Sequence, residues 1–195
     1  MLEAFLVSTG VVALGEIGDK TQLLALLLAT RFRQPVPIVL GILVATLINH
    51  SAAGYAGAWV AAQLGPDVMR WVLGLSFLAM AAWIMVPDKV DDMPDKPPRY
   101  GVFVTTAVTF FLLEMGDKTQ LATVALAAHY PSLVAVVAGT TLGMMIADVP
   151  AVYLGQLAGN KLPMKLVHGI AAALFALLGL LVLLGVGQHG VSQHG

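Results

Sequence analysis

The chain has 195 residues, 58% of them hydrophobic and 11% charged, with a formal net charge of −1 and a mean hydropathy of +0.87. A soluble domain of this length needs more polar surface, and a near-neutral chain offers nucleic acid no counter-charge; composition therefore points to an integral membrane protein in contact with a lipid bilayer. There is no Cys, which excludes disulfides and thiolate metal sites.

A membrane span needs about 20 mostly apolar residues. Six segments meet that length, at 4–30, 36–63, 69–87, 101–128, 133–158 and 166–187. The breaks "RFRQPVP", "LGPD", "AHYPS" and "GNKLPMK" carry turn chemistry. The first and fourth segments exceed the length of a straight span, which predicts either tilt or a broken helix. The opening "MLEAFLVSTG" has no basic region or small-residue cleavage site, so the first segment is expected to be retained. Lys and Arg are unevenly divided between the alternate breaks. Arg31, Arg33, Lys89, Lys96, Arg99, Lys161 and Lys165 fall on one side and Arg70 on the other. By the positive-inside rule the expected topology is multi-pass, with both termini periplasmic and the charged linker cytoplasmic.

Sliding the chain against itself by 98 residues superimposes Glu16, Gly18, Asp19, Lys20, Thr21 and Gln22 on Glu114, Gly116, Asp117, Lys118, Thr119 and Gln120. The same shift aligns Gly41 with Gly139, Tyr55 with Tyr153 and Phe77 with Phe175. The expected fold is all-α, with six transmembrane helices arranged as two three-helix repeats. The repeats occupy residues 1–86 and 101–188, joined by a polar linker at 87–100 and followed by a tail at 189–195. An odd number of spans per unit makes the copies insert in opposite directions, an inverted repeat of the kind that places transport sites at the repeat interface.

Both copies put a Glu, an Asp and a Lys mid-span, where each charge costs about 2.5–3.5 kcal/mol on insertion scales. On a continuous helix Glu16, Asp19 and Lys20 share a face, so each Lys is expected to hold its neighbouring Asp charged. Buried ion pairs seldom outperform an apolar core, so stability alone is a weak reason for these residues. Four carboxylates and two ammonium groups leave a charge of −2, which one divalent cation or two protons would cancel. That balance suggests a carrier rather than an enzyme. Glu16 and Glu114 would be the exchangeable, proton-coupled pair, because metal binding requires deprotonated ligands and displaces protons. Asp19, Asp117, Gln22 and Gln120 would complete an oxygen shell, with Lys20, Lys118, Thr21 and Thr119 in support. Such a shell suits Ca²⁺, Mn²⁺ or Mg²⁺ better than Zn²⁺ or Cu⁺. His50 and Asp148, also related by the 98-residue shift, are candidates either for a proton relay or for a simple hydrogen bond across the repeat axis. His189 and His194 in the Gly-rich tail read as surface residues.

The doubled motif, Glu16-Ile17-Gly18-Asp19-Lys20-Thr21 and Glu114-Met115-Gly116-Asp117-Lys118-Thr119, resembles the E-x-G-D-[KR]-[ST] signature of the Gdt family of cation/proton exchangers. Both copies match at every fixed position, and the likeness covers essentially the whole chain. The resemblance implies Mn²⁺ or Ca²⁺ exchanged for protons at the motif acids, with Mn²⁺ favoured and export from the cytoplasm the expected direction. The short chain, without a targeting extension, is similar to bacterial members of the inner membrane. A transported divalent cation is implied, with no resident cofactor. The sequence leaves a homo-oligomer open. The rival readings are an exporter of a small organic cation or amino acid, and a membrane scaffold without transport.

Overall fold

The computed structural model describes residues 1–64, 66–84 and 100–154, together with 176, 177, 180, 183 and 184. Seven helices are present among the described residues: α1 (Leu2–Glu16), α2 (Lys20–Phe32), α3 (Pro35–Gln63), α4 (Pro66–Ile84), α5 (Gly101–Glu114), α6 (Lys118–His129) and α7 (Leu133–Leu154). The expected second, third and fifth spans correspond to α3, α4 and α7. The first and fourth are each two helices in tandem. Most of the linker, most of the sixth span and the whole tail with His189 and His194 lie outside the described residues.

The two breaks have nearly the same backbone. Ile17 and Met115 leave their helices in extended conformation, at φ −63°, ψ 115° and φ −64°, ψ 119°. Gly18 and Gly116 then turn through positive φ, at 83° and 75°, a region that a side chain disfavours. Asp19 and Asp117 re-enter as N-caps at φ −78°, ψ 168° and φ −79°, ψ 166°. In each turn the Asp N–H donates to the Glu carbonyl three residues earlier, at 3.0 Å and 3.1 Å.

Surface and interior are inverted relative to a soluble protein. Leu6, Leu40, Leu47, Ile48, Trp59, Trp71, Leu75, Val108, Leu112 and Ile146 are exposed. The interior holds Ser8, Glu16, Asp19, Thr46, Asn49, His50, Thr106, Glu114, Asp117, Lys118 and Asp148. Lipid accepts the first set without cost, whereas charged groups within a membrane face the protein interior. α3 and α7 are each long and apolar enough to cross a bilayer.

The two sequence halves interdigitate. α1 lies along α7, and its counterpart α5 lies along α3; α2 packs on α7 and α6 on α3. Glycines permit close approaches, and one pair of them, Gly41 and Gly139, is matched by the repeat. A Cβ at Gly139 would meet the Phe5 carbonyl oxygen at 2.5 Å and Ser8 Cβ at 2.9 Å. One at Gly41 would meet the Phe103 carbonyl oxygen at 2.9 Å and Thr106 Cβ at 2.8 Å. Phe5 and Phe103, like Ser8 and Thr106, are 98 residues apart. Two apolar clusters complete the packing, one around Leu73, Phe77, Leu126 and Val136 and the other around Leu24, Leu28, Ile42 and Phe110.

Gly41→Val and Gly139→Val are each expected to destabilise the protein by about 1–3 kcal/mol, because backbone atoms cannot move aside as side chains do. A Cβ at Gly10 meets nothing within 4 Å, so Gly10→Ala should be neutral or stabilising by up to about 1 kcal/mol. Thermal denaturation of the purified variants in detergent checks both signs.

Candidate functional site

The breaks bring the motif residues to the centre of the molecule. Glu16 is the last residue of α1 and Glu114 the last of α5, and both are fully buried. Asp19 and Asp117 stand at the starts of α2 and α6, also buried, and neither side chain caps its own helix. Instead each meets a lysine from the other half. Lys118 Nζ lies 2.7 Å from Asp19 Oδ1, and Lys20 Nζ lies 2.9 Å from Asp117 Oδ1. Where each Lys was expected to hold its own neighbouring Asp, the structure pairs each Lys with the Asp of the other half. The reason is geometric: the turn at Gly18 and Gly116 separates Glu from Asp-Lys, so the shared face of a continuous helix does not exist.

The break also redirects the threonines. Thr21, which a continuous helix would point to the flank, donates from Oγ1 to Glu16 Oε2 at 2.6 Å. Thr119 Oγ1 is placed between Glu114 Oε2 at 3.4 Å and Asp117 Oδ2 at 3.5 Å. Glu16 Oε1 and Glu114 Oε1 have no hydrogen-bond partner among the described residues. Each glutamate thus has one oxygen near its threonine and one left over.

Gln22 and Gln120 brace the turns. Gln22 Oε1 accepts from the Gly18 N–H at 2.8 Å, and Gln120 Oε1 accepts from the Gly116 N–H at 2.6 Å. Gln22 Nε2 also donates to the Ala147 carbonyl of α7 at 3.0 Å. An amide oxygen has two lone pairs, so bracing the turn does not exhaust its capacity as a donor to a cation. Asn49 ties α3 to α5 through Nδ2 and the Phe111 carbonyl at 3.0 Å.

His50 and Asp148 are both fully buried, yet neither imidazole nitrogen and neither carboxylate oxygen makes a hydrogen bond among the described residues. The hydrogen bond between them across the repeat axis, one of the two alternatives, is absent among the described residues. Sequence reasoning also missed the buried hydroxyls of Ser8, Thr46, Thr106 and Thr123. The repeat shift had the information for one pair of these, since Ser8 and Thr106 occupy equivalent positions.

Three carboxylates converge. One oxygen each from Glu16, Asp19 and Asp117 lies within 4.8 Å of the others, and Glu114 is buried within electrostatic reach of Glu16. Oxygens bound to a single Ca²⁺ at 2.3–2.6 Å are at most about 5 Å apart, so this spacing is compatible with ligation of one cation by all three.

Apolar outward faces, a buried acidic centre and two broken helices define a membrane carrier for small ions. The chain belongs to the family of the divalent cation/proton antiporter GDT1, whose model matches residues 4–92 and 102–189. The two matched blocks begin 98 residues apart. A Vibrio cholerae protein named "Putative manganese exporter" is 48% identical over 181 residues, covering 92% of this chain and 90% of that protein. A GDT1-like protein of Synechocystis is 29% identical, covering 91% of this chain and 95% of that protein. GDT1-like protein 4 of Oryza sativa is 27% identical over 90% of this chain and 71% of its own length. No solved structure matches the chain.

The crossed ion pairs can be measured by double-mutant cycles. Lys20→Met or Asp117→Asn alone should destabilise the protein, and the double variant should recover part of the loss. The expected coupling is about 1–3 kcal/mol for Lys20 with Asp117 and smaller for Lys20 with Asp19, read from chemical or thermal denaturation in detergent.

Proposed function

We propose that the chain exports Mn²⁺ from the cytoplasm in exchange for protons, through a site built from Glu16, Asp19, Glu114 and Asp117. The observation that carries this reading is the buried oxygen triad, which takes Glu16 and Asp19 from one half and Asp117 from the other. The name of the Vibrio cholerae relative supports Mn²⁺ and the outward direction; Ca²⁺ is the next cargo, since both are hard cations taking oxygen ligands. The 4.8 Å spacing argues against a small organic cation or amino acid, which needs a wider pocket with apolar walls.

The site residues divide the work. The two crossed Lys–Asp pairs balance their own charges and hold the halves in register. Glu16 and Glu114 are then left to carry either the cation or protons, each with a threonine beside one oxygen and the other oxygen turned to the cargo. Binding the cation requires both in the ionised form, so cation entry releases protons and protonation expels the cation. Loaded in either way, the pair is neutralised and can be enclosed. Ionised and empty, it resists enclosure, and this couples the two fluxes.

In the membrane, α1–α2 and α5–α6 each form one broken span, as in transporters whose ion sites use interrupted helices. Six spans in two inverted repeats, both termini in the periplasm and the charged linker in the cytoplasm of an inner membrane complete the proposed topology. It rests on the 98-residue repeat, the placement of Lys and Arg and the matched backbone angles at the two breaks.

Proteoliposomes test the function. With an acidic lumen and Mn²⁺ outside, uptake should follow the proton gradient and collapse when an ionophore dissipates it. Glu16→Gln and Glu114→Gln should each lower coupled Mn²⁺ flux by about 100-fold or more while still inserting, since each removes an exchangeable charge. Metal flux indifferent to the proton gradient, or normal exchange by both variants, would sink the mechanism.

A further inference from the structure

Asp148 belongs to α7, the helix that packs along both α1 and α2. Its side chain is fully buried, and neither carboxylate oxygen is hydrogen-bonded among the described residues. A buried carboxylate kept for structure is ordinarily satisfied by donors, because an unsatisfied one is expensive. Asp148 therefore stands apart from a carboxylate kept for structure. Gln22 fixes its position: the amide that braces the Gly18 turn also holds the carbonyl of Ala147, the residue immediately before Asp148. Asp148 lies within electrostatic reach of Glu16, Glu114 and Asp19.

The two halves also differ in chemistry at this position. The residue equivalent to Asp148 is His50, buried and equally without hydrogen bonds. The centre is therefore acidic on the α7 side and carries an imidazole on the α3 side. The oxygen triad shows the same bias, taking both acids of the first motif and only Asp117 of the second. The four motif acids are two-fold related in sequence, but the place where their oxygens converge is not.

We propose that Asp148 is a cargo-binding residue, a fifth carboxylate that α7 adds to the motif acids and that draws the divalent cation off the repeat axis toward Glu16 and Asp19. The proposal rests on the cation-carrying reading of the site given above. It adds oxygen ligands that the doubled motif does not supply, and with them one more negative charge for the loaded site to balance.

The test uses the full chain purified in detergent, with Mn²⁺ and Ca²⁺ alone as probes, followed by calorimetric titration and by thermal stability with and without metal. Asp148→Asn should weaken Mn²⁺ binding by about tenfold or more. The metal-free variant should melt no lower than the wild type, because an uncompensated buried charge has been removed. Unchanged Mn²⁺ affinity in Asp148→Asn, beside lost affinity in Glu16→Gln, overturns this inference and leaves the cation site standing. A fall in metal-free stability that accounts for the weaker binding makes Asp148 a packing residue and also overturns it. If Asp148→Asn does not fold, Asp148→Glu decides: it keeps the charge but moves the oxygens, so the ratio of Mn²⁺ to Ca²⁺ affinity should change by about threefold or more. An unchanged ratio overturns the assignment. Wild-type protein that binds neither ion removes the cation reading itself, and this proposal with it.

Discussion

The crossed pairing of Lys20 with Asp117 and Lys118 with Asp19 is the constraint on which the rest of the structure depends. Six ionisable motif residues are placed in the interior of a predominantly apolar chain. At an insertion cost of about 2.5–3.5 kcal/mol each, they would contribute on the order of 15–20 kcal/mol of instability without partners. Pairing each lysine with an acid from the other half offsets much of that cost, and only when the halves are assembled. Folding, helix packing and formation of the site are therefore one event.

The helix breaks make the crossing possible. A continuous helix would hold Glu, Asp and Lys of one motif on one face, and each motif could satisfy its charges internally. The turns at Gly18 and Gly116 instead place each Glu at the end of one helix and each Asp-Lys at the start of the next. Each glutamine reaches back to hold its turn closed, and each threonine comes beside its glutamate. The glutamates are left with an oxygen apiece facing the centre. A sequence of seven residues thus encodes a turn, a brace, an ion-pair partner and a ligand, and does so twice.

Much of this was legible in the sequence, and what was not has a common cause. The duplicated motif, its family, the apolar spans and the excess length of the first and fourth segments could all be read directly. The excess length left tilt or a broken helix open, and a broken helix is what the structure contains. The error lay in treating Glu16, Asp19 and Lys20 as neighbours on one helix, because periodicity arguments presume a continuous helix. Crossed pairs are contacts between residues about 98 positions apart, set by how α1 lies on α7 and α5 on α3, and no local spacing reports that. The same holds for Asp148. The repeat shift set it against His50, but its approach to Glu16 comes from the packing of α7.

The interdigitation of the halves also bears on how such a chain is made. When only the first half has entered the bilayer, the crossed partners Asp117 and Lys118 are missing, and the groove beside Gly41 has no helix to fill it. That half cannot be a finished domain awaiting a second. Its packing and its charge balance are completed by α5 and α6. Biogenesis of the carrier is in this sense an intramolecular assembly reaction, and translation of the second half is its last step.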